Sequence, residues 1–110
     1  MSCMGCSQEV KDLLKTLYGL SSSESEVLTL LCDGEGRRIE VIAEEVGKDR
    51  STVQRYISKL RAVGLVSRRA ETEGRGRFYI YRIDKEKMKK KVKNRLDEWV
   101  DEKLEELERI

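Results

Sequence analysis

Residues Arg38–Arg69 read RIEVIAEEVGKDRSTVQRYISKLRAVGLVSRR. Ile39, Ile42, Ala43 and Val46 recur at helical spacing, which gives a short segment one apolar face. Gly47 suits the left-handed position just past a helix, and Asp49 suits the N-cap of the next one. Val53, Ile57 and Leu60 then form a second apolar stripe, with Tyr56 at its edge, and Gly64 stops that helix. Two helices joined by a tight glycine-containing turn, the second with a polar outer face, predict a helix-turn-helix.

Working outward, Arg38–Ile39 is a candidate short strand ahead of the first of these helices. Downstream, Leu65–Ala70 reads as a strand, Glu71–Gly76 as a polar glycine-rich turn, and Arg77–Ile83 as a returning strand rich in β-formers. Parity leaves open whether Phe78 and Ile80 or Tyr79, Tyr81 and Ile83 face the core. Upstream, Glu9–Tyr18 carries Val10, Leu13, Leu14, Leu17 and Tyr18 on one face and predicts a helix ended by Gly19. Ser21 and Glu24 form a capping box that opens another helix, running to about Cys32.

The quoted stretch resembles the DNA-binding core of winged-helix transcription regulators of the MarR and archaeal TrmB-like type. The residues that carry this are Ile42-Ala43-Glu44-Glu45-Val46-Gly47, Asp49-Arg50-Ser51-Thr52-Val53, Leu60 and Gly64-Leu65-Val66. Gly19-Leu20-Ser21, with Glu24 and Val27-Leu28 behind it, is similar to the opening of the TrmB-like domain, so the resemblance spans about Gly19–Ile83. Lys48 departs from the apolar turn residue usual in such families. TrmB-like regulators often carry a sugar-binding domain after the winged helix, whereas only one helix follows here. The resemblance implies double-stranded DNA as partner and a role in transcription.

Composition sets the remaining bounds. At 110 residues with 5% aromatics, the chain builds one small core from Leu, Val and Ile. It has no His and no phosphate-binding loop motif, so no catalytic constellation is found and an enzyme is not expected. No apolar run reaches the length of a membrane span, and no signal peptide is evident, so a cytoplasmic location is expected. Abundant Lys, Glu and Arg with few amides match the composition of hyperthermophile proteins. The net charge of +2 conceals an uneven distribution: residues 1–47 hold four basic and nine acidic groups, whereas residues 48–82 hold ten basic and three acidic. Positive charge therefore concentrates on the second helix and the hairpin, the footprint of a surface facing phosphates.

The expected fold is mainly α with a small β-hairpin. It divides into an N-terminal arm (1–7), a winged helix-turn-helix (8–83) and a long amphipathic helix (84–110). An α-helix fits the major groove, which makes Arg50, Ser51, Thr52, Gln54, Arg55, Ser58 and Lys59 candidate DNA contacts. Gln54 has the chemistry to pair with adenine and Arg55 with guanine. Ser51 and Thr52, in the first turn, are suited to phosphate. The hairpin adds Arg68, Arg69, Arg75 and Arg77. On the last helix, Val92, Leu96, Trp99, Val100, Leu104 and Leu107 lie in one broad stripe, which predicts a homodimer through that helix. Its basic first half and acidic second half favour antiparallel pairing, and Lys103 interrupts a strict heptad. Cys3 and Cys6 leave three readings open: no function, a redox pair, or half of a zinc site completed by a dimer. Cys32 reads as a small buried hydrophobe. A protein-interaction module is the alternative to a DNA-binding regulator, since fold does not fix function.

Overall fold

The computed structural model describes residues 7–110. Cys3 and Cys6 lie outside the described residues. Five helices and one hairpin follow in the order α1 (Gln8–Tyr18), α2 (Ser22–Leu30), α3 (Ile39–Val46), α4 (Arg50–Ala62), β1 (Ser67–Glu73), β2 (Gly76–Arg82) and α5 (Lys85–Glu108). Leu14, Val27, Leu28, Leu31, Ile42, Val53, Ile57, Leu60, Leu65, Tyr81 and Ile83 make one continuous core beneath the helices and the base of the hairpin. Mainly helical with one antiparallel hairpin and a long last helix, the architecture agrees with the expected one.

Local chemistry explains the boundaries. Ser7, assigned above to the arm, instead caps α1: its hydroxyl accepts from the Val10 N–H at 3.2 Å. The Ser21–Glu24 capping box is present in both directions, at 2.8 and 3.1 Å. The α-helix it opens stops at Leu30 and tightens into a 3₁₀ turn over Leu31–Asp33, which buries Leu31 and Cys32. Gly47 takes φ 71°, so its own N–H and that of Lys48 bond back to Glu44 and Ala43 and end α3 without a Cβ clash.

The strand expected at Arg38–Ile39 is displaced. Arg37 alone pairs with Tyr81, N–H to carbonyl both ways at 2.9 and 2.8 Å. Arg38 caps α3, and Ile39 is its first residue because the Ile39 side chain is needed in the core with Ile42 and Ala43. The hairpin also shifts. β1 begins at Ser67 and runs to Glu73, because the N–H groups of Leu65 and Val66 turn back to the Leu60 carbonyl and their side chains enter the core. Only Gly74 and Arg75 form the turn, with Glu73 opposite Gly76. Gly74 has φ 59° and Arg75 does not have positive φ, the pattern of a two-residue type II′ hairpin turn. Parity is settled: Tyr81 and Ile83 are buried, with Tyr79 packed against the core, while Phe78 and Ile80 face the other side.

The first half of α5 lies on the body. Met88 and Val92 pack on the core, and the Arg95 guanidinium donates to the Leu17 carbonyl at 3.0 Å. The second half runs free, which gives the molecule extents of 60 × 30 × 23 Å.

Candidate nucleic-acid interface

The N-terminal half of α4, the start of α3 and the hairpin converge on one polar cleft of about 390 Å³. Arg38, Arg50, Arg68 and Arg77 line it together with Gln54, against a single carboxylate, Glu40. Two of these arginines rest on aromatic rings of the hairpin. The Arg38 guanidinium lies 4.1 Å from the Phe78 ring centre, and that of Arg68 lies 4.0 Å from Tyr79. Stacking of this kind holds a guanidinium flat while leaving its N–H edge to other partners. Arg38 was not among the residues expected from sequence. The signal for it was available only as an Arg preceding an apolar helix and an aromatic residue in a strand, with nothing to join the two.

The side chains of α4 divide sharply in their engagement. The Asp49 carboxylate accepts from the Thr52 N–H and from the hydroxyls of Ser51 and Thr52. Those two hydroxyl donations come first among the causes that hold Asp49 well below the usual carboxylate range. A phosphate oxygen needs a donor, so Ser51 and Thr52, expected to meet phosphate, already spend their hydroxyl protons on the cap. Lys59, also an expected DNA contact, points back across the molecule. Its ammonium donates to the Gly19 carbonyl at 2.9 Å and pairs with Glu24 at 3.3 Å, tying α4 to the junction of α1 and α2. Arg50 pairs with Glu40 at 3.5 Å, and Arg38 pairs with the same carboxylate and with Glu73, each at 3.8 Å. Gln54, Arg55 and Ser58 make no side-chain hydrogen bond or ion pair among the described residues; Arg55 and Ser58 are exposed.

On the hairpin, Arg69 is engaged by Glu71 on its own strand. Arg75 stands exposed at the tip and Arg77 lines the cleft, neither with an ion-pair partner among the described residues. On α5, Val92 is committed to the body, and Leu96 and Trp99 are half-buried. Val100, Leu104 and Leu107 are 40, 56 and 60% exposed and form the open part of the expected stripe. Among the described residues no group of acidic or sulfur side chains is placed to hold a metal ion, and no helix is long and apolar enough to cross a membrane.

Comparison with known proteins fits this geometry. The model of the sugar-specific transcriptional regulator TrmB family matches residues 14–87. An uncharacterized protein of Methanocaldococcus jannaschii is 40% identical over 92 residues, covering 82% of this chain and 76% of its own length. A solved structure of a possible transcriptional regulator from Methanosarcina mazei superposes with a TM-score of 0.75 over 98% of both chains, at 21% identity. The PcaV transcriptional regulator of Streptomyces coelicolor shares the fold at a TM-score of 0.56 and 24% identity, over 83% of this chain and 67% of its own.

Proposed function

Because the chain belongs to the TrmB family of transcriptional regulators, we propose that it reads a specific double-stranded DNA sequence with α4 in the major groove and steadies itself with the hairpin on the adjacent backbone. The observation that carries this reading is the cleft in which Arg38, Arg50, Arg68 and Arg77 meet Gln54. Four cations outnumber the two carboxylates that pair with them, Glu40 and Glu73, which leaves the surface net positive, and a helix presenting an unengaged amide and guanidinium projects beside it.

Roles follow from engagement. Gln54, Arg55 and Ser58 are the base readers, because no intramolecular contact has to break before they reach a base edge. Arg68, Arg75 and Arg77, without an ion-pair partner among the described residues, hold phosphates, whereas Arg38 divides between Glu40, Glu73 and the DNA; aromatic rings orient Arg38 and Arg68. Arg50 divides between Glu40 and the DNA. Lys59 is a structural tie. Two copies joined through the open stripe of α5 would present two α4 helices to half-sites about one helical turn apart.

The test is affinity for duplexes from the genomic region upstream of the gene, and for random duplexes, across a salt series. Preference for the genomic DNA is expected, with log affinity falling against log salt by about 0.9 for each phosphate neutralised. Arg55→Ala should remove discrimination at one base position, about 1–3 kcal/mol for a bidentate contact. Arg75→Ala should weaken all sequences alike and make the salt slope shallower by about one contact. Equal affinity for genomic and random duplexes would remove the sequence-reading role. An Arg55→Ala variant with wild-type preference would remove that assignment.

A further inference from the structure

A second groove, of about 650 Å³, runs between the first half of α5 and the ends of α1 and α4. Its volume is within the range of small-molecule sites, about 300–1,000 Å³. Val63 and the Tyr18 ring supply an apolar wall, and Lys87, Lys90, Lys91 and Asn94 line the α5 side. We infer that this groove binds a small organic phosphate, with the phosphoryl group among the three lysines and the organic body against Tyr18 and Val63.

Three independent observations carry the inference. The Tyr18 hydroxyl is buried and lacks a hydrogen-bond partner among the described residues. Leaving a buried hydroxyl unmatched is costly, so such groups generally have a partner. Secondly, Lys87, Lys90 and Lys91 make no ion pair or hydrogen bond among the described residues. The groove's one carboxylate, Glu98, is paired with Arg95 at 3.4 Å. Thirdly, the Arg95 guanidinium is already divided between the Leu17 carbonyl, Glu98 and Glu102. With the planar fork occupied, the cations left over are ammonium groups. Several point charges in one place suit a phosphoryl dianion better than the bidentate geometry of a carboxylate.

The position of the groove argues for a free phosphate rather than a phosphate of DNA or a second copy of α5. Val63 is the C-cap of α4, at the far end of a 13-residue helix from the turn that leads into it, and helices of this type meet bases through their N-terminal part. At 3.6 residues per turn, the mean direction of Lys87, Lys90, Lys91 and Asn94 lies about 120° around α5 from that of Val100, Leu104 and Leu107, with Lys90 on the near side. A partner helix seated on that apolar stripe leaves the groove open. A ligand here would join α5 to the end of α4. A consequence for DNA affinity rests on the function proposed above; binding itself does not.

Titration of the full chain with phenyl phosphate, without DNA and followed by calorimetry, tests the site. Saturable binding with a dissociation constant at or below about 1 mM is expected, weaker for inorganic phosphate and absent for phenol. The Lys87→Met/Lys91→Met variant should bind about tenfold more weakly. Tyr18→Phe should also bind more weakly, yet melt at or above the wild-type temperature, because the hydroxyl it removes has no intramolecular partner. Circular dichroism establishes that both variants are folded. No saturable binding by the wild type, or equal binding by the lysine variant, overturns the inference. So does a lysine variant that keeps phenyl phosphate affinity but has a shallower DNA salt slope, since the groove would then serve the nucleic acid.

Discussion

Gly36 shows how one residue fixes the meeting of two elements. A Cβ built there would stand 2.2 Å from the Cγ2 of Ile80 on β2. The segment before α3 can therefore lie along β2, and Arg37 can pair with Tyr81, only if position 36 has no side chain. Gly36→Ala should lower stability by about 1–3 kcal/mol, the usual cost of forcing an extra methyl into a packed contact. Thermal melting checks this, and adding Ile80→Ala, which removes the obstructing methyl, should restore much of the loss. The sequence marked Asp33-Gly34-Glu35-Gly36 as a loop but could not say that one of its glycines is needed for space. The partner is on a strand more than 40 residues away. The same limit applies to Lys59. The apolar stripe of α4 identified its exposed positions, but sequence treats all long cations on a helix face alike. Only the fold brings the Gly19 carbonyl and Glu24 within reach of this one.

At the level of elements, the loop from α2 to α3 is held by Arg37. Its guanidinium takes both oxygens of Asp33 at 3.0 and 2.8 Å, and its Nε reaches Glu45 on α3 at 3.3 Å. The Arg37 hydrogen bonds hold the Asp33 carboxyl at about 2, below its ordinary 3.8. A depressed folded-state value means that the unfolded chain takes up the proton first as pH falls. The stabilisation is therefore complete above about pH 4 and is lost as pH drops from there through 2. Melting temperatures of the wild type and Asp33→Asn across that range should differ at neutral pH and converge near pH 2. A gap independent of pH would show that the carboxylate charge is not what holds the loop. Element types were largely legible, because α1 to α4 each carry helical spacing and a capping residue. Hairpin ends were not. Glu71, Thr72 and Glu73 look like turn residues, but the two-residue turn at Gly74-Arg75 carries them into the ladder opposite Phe78, Arg77 and Gly76. Polar residues are tolerated there because that end of the hairpin stands in water.

For the whole molecule, the division of α5 is the main architectural fact. Met88 and Val92 belong to the body, whereas Val100, Leu104 and Leu107 remain largely exposed among the described residues. The candidate DNA surface was legible from charge: the basic excess of residues 48–82 and the turn between α3 and α4 already pointed to it. The cleft itself was not, since it needs Arg38 stacked on a strand that sequence cannot place beside it. If the open stripe joins two copies, Leu104→Glu should turn a dimer into a monomer by light scattering, with DNA affinity falling because one half-site is lost. Leu104 is largely exposed within its own chain, so the far-ultraviolet spectrum should keep its helical shape. An oligomeric state equal to wild type would exclude this stripe as the joint. The charge sequence of α5 has one further consequence. A helix carries partial positive charge at its amino end and partial negative charge at its carboxyl end. Lys85–Arg95 holds seven cations and one anion, whereas Leu96–Ile110 holds seven anions and two cations, so the side chains reinforce the backbone dipole instead of opposing it. Lys93–Asp97 and Arg95–Glu98 also place the cation on the amino side of the anion, the weaker orientation for a pair on a helix. A single α5 is therefore a rod polarised along its length. Laid side by side and antiparallel, two such rods would cancel each other's polarity, so a pairing that covered the leucines would also relieve the electrostatic cost of forming the helix.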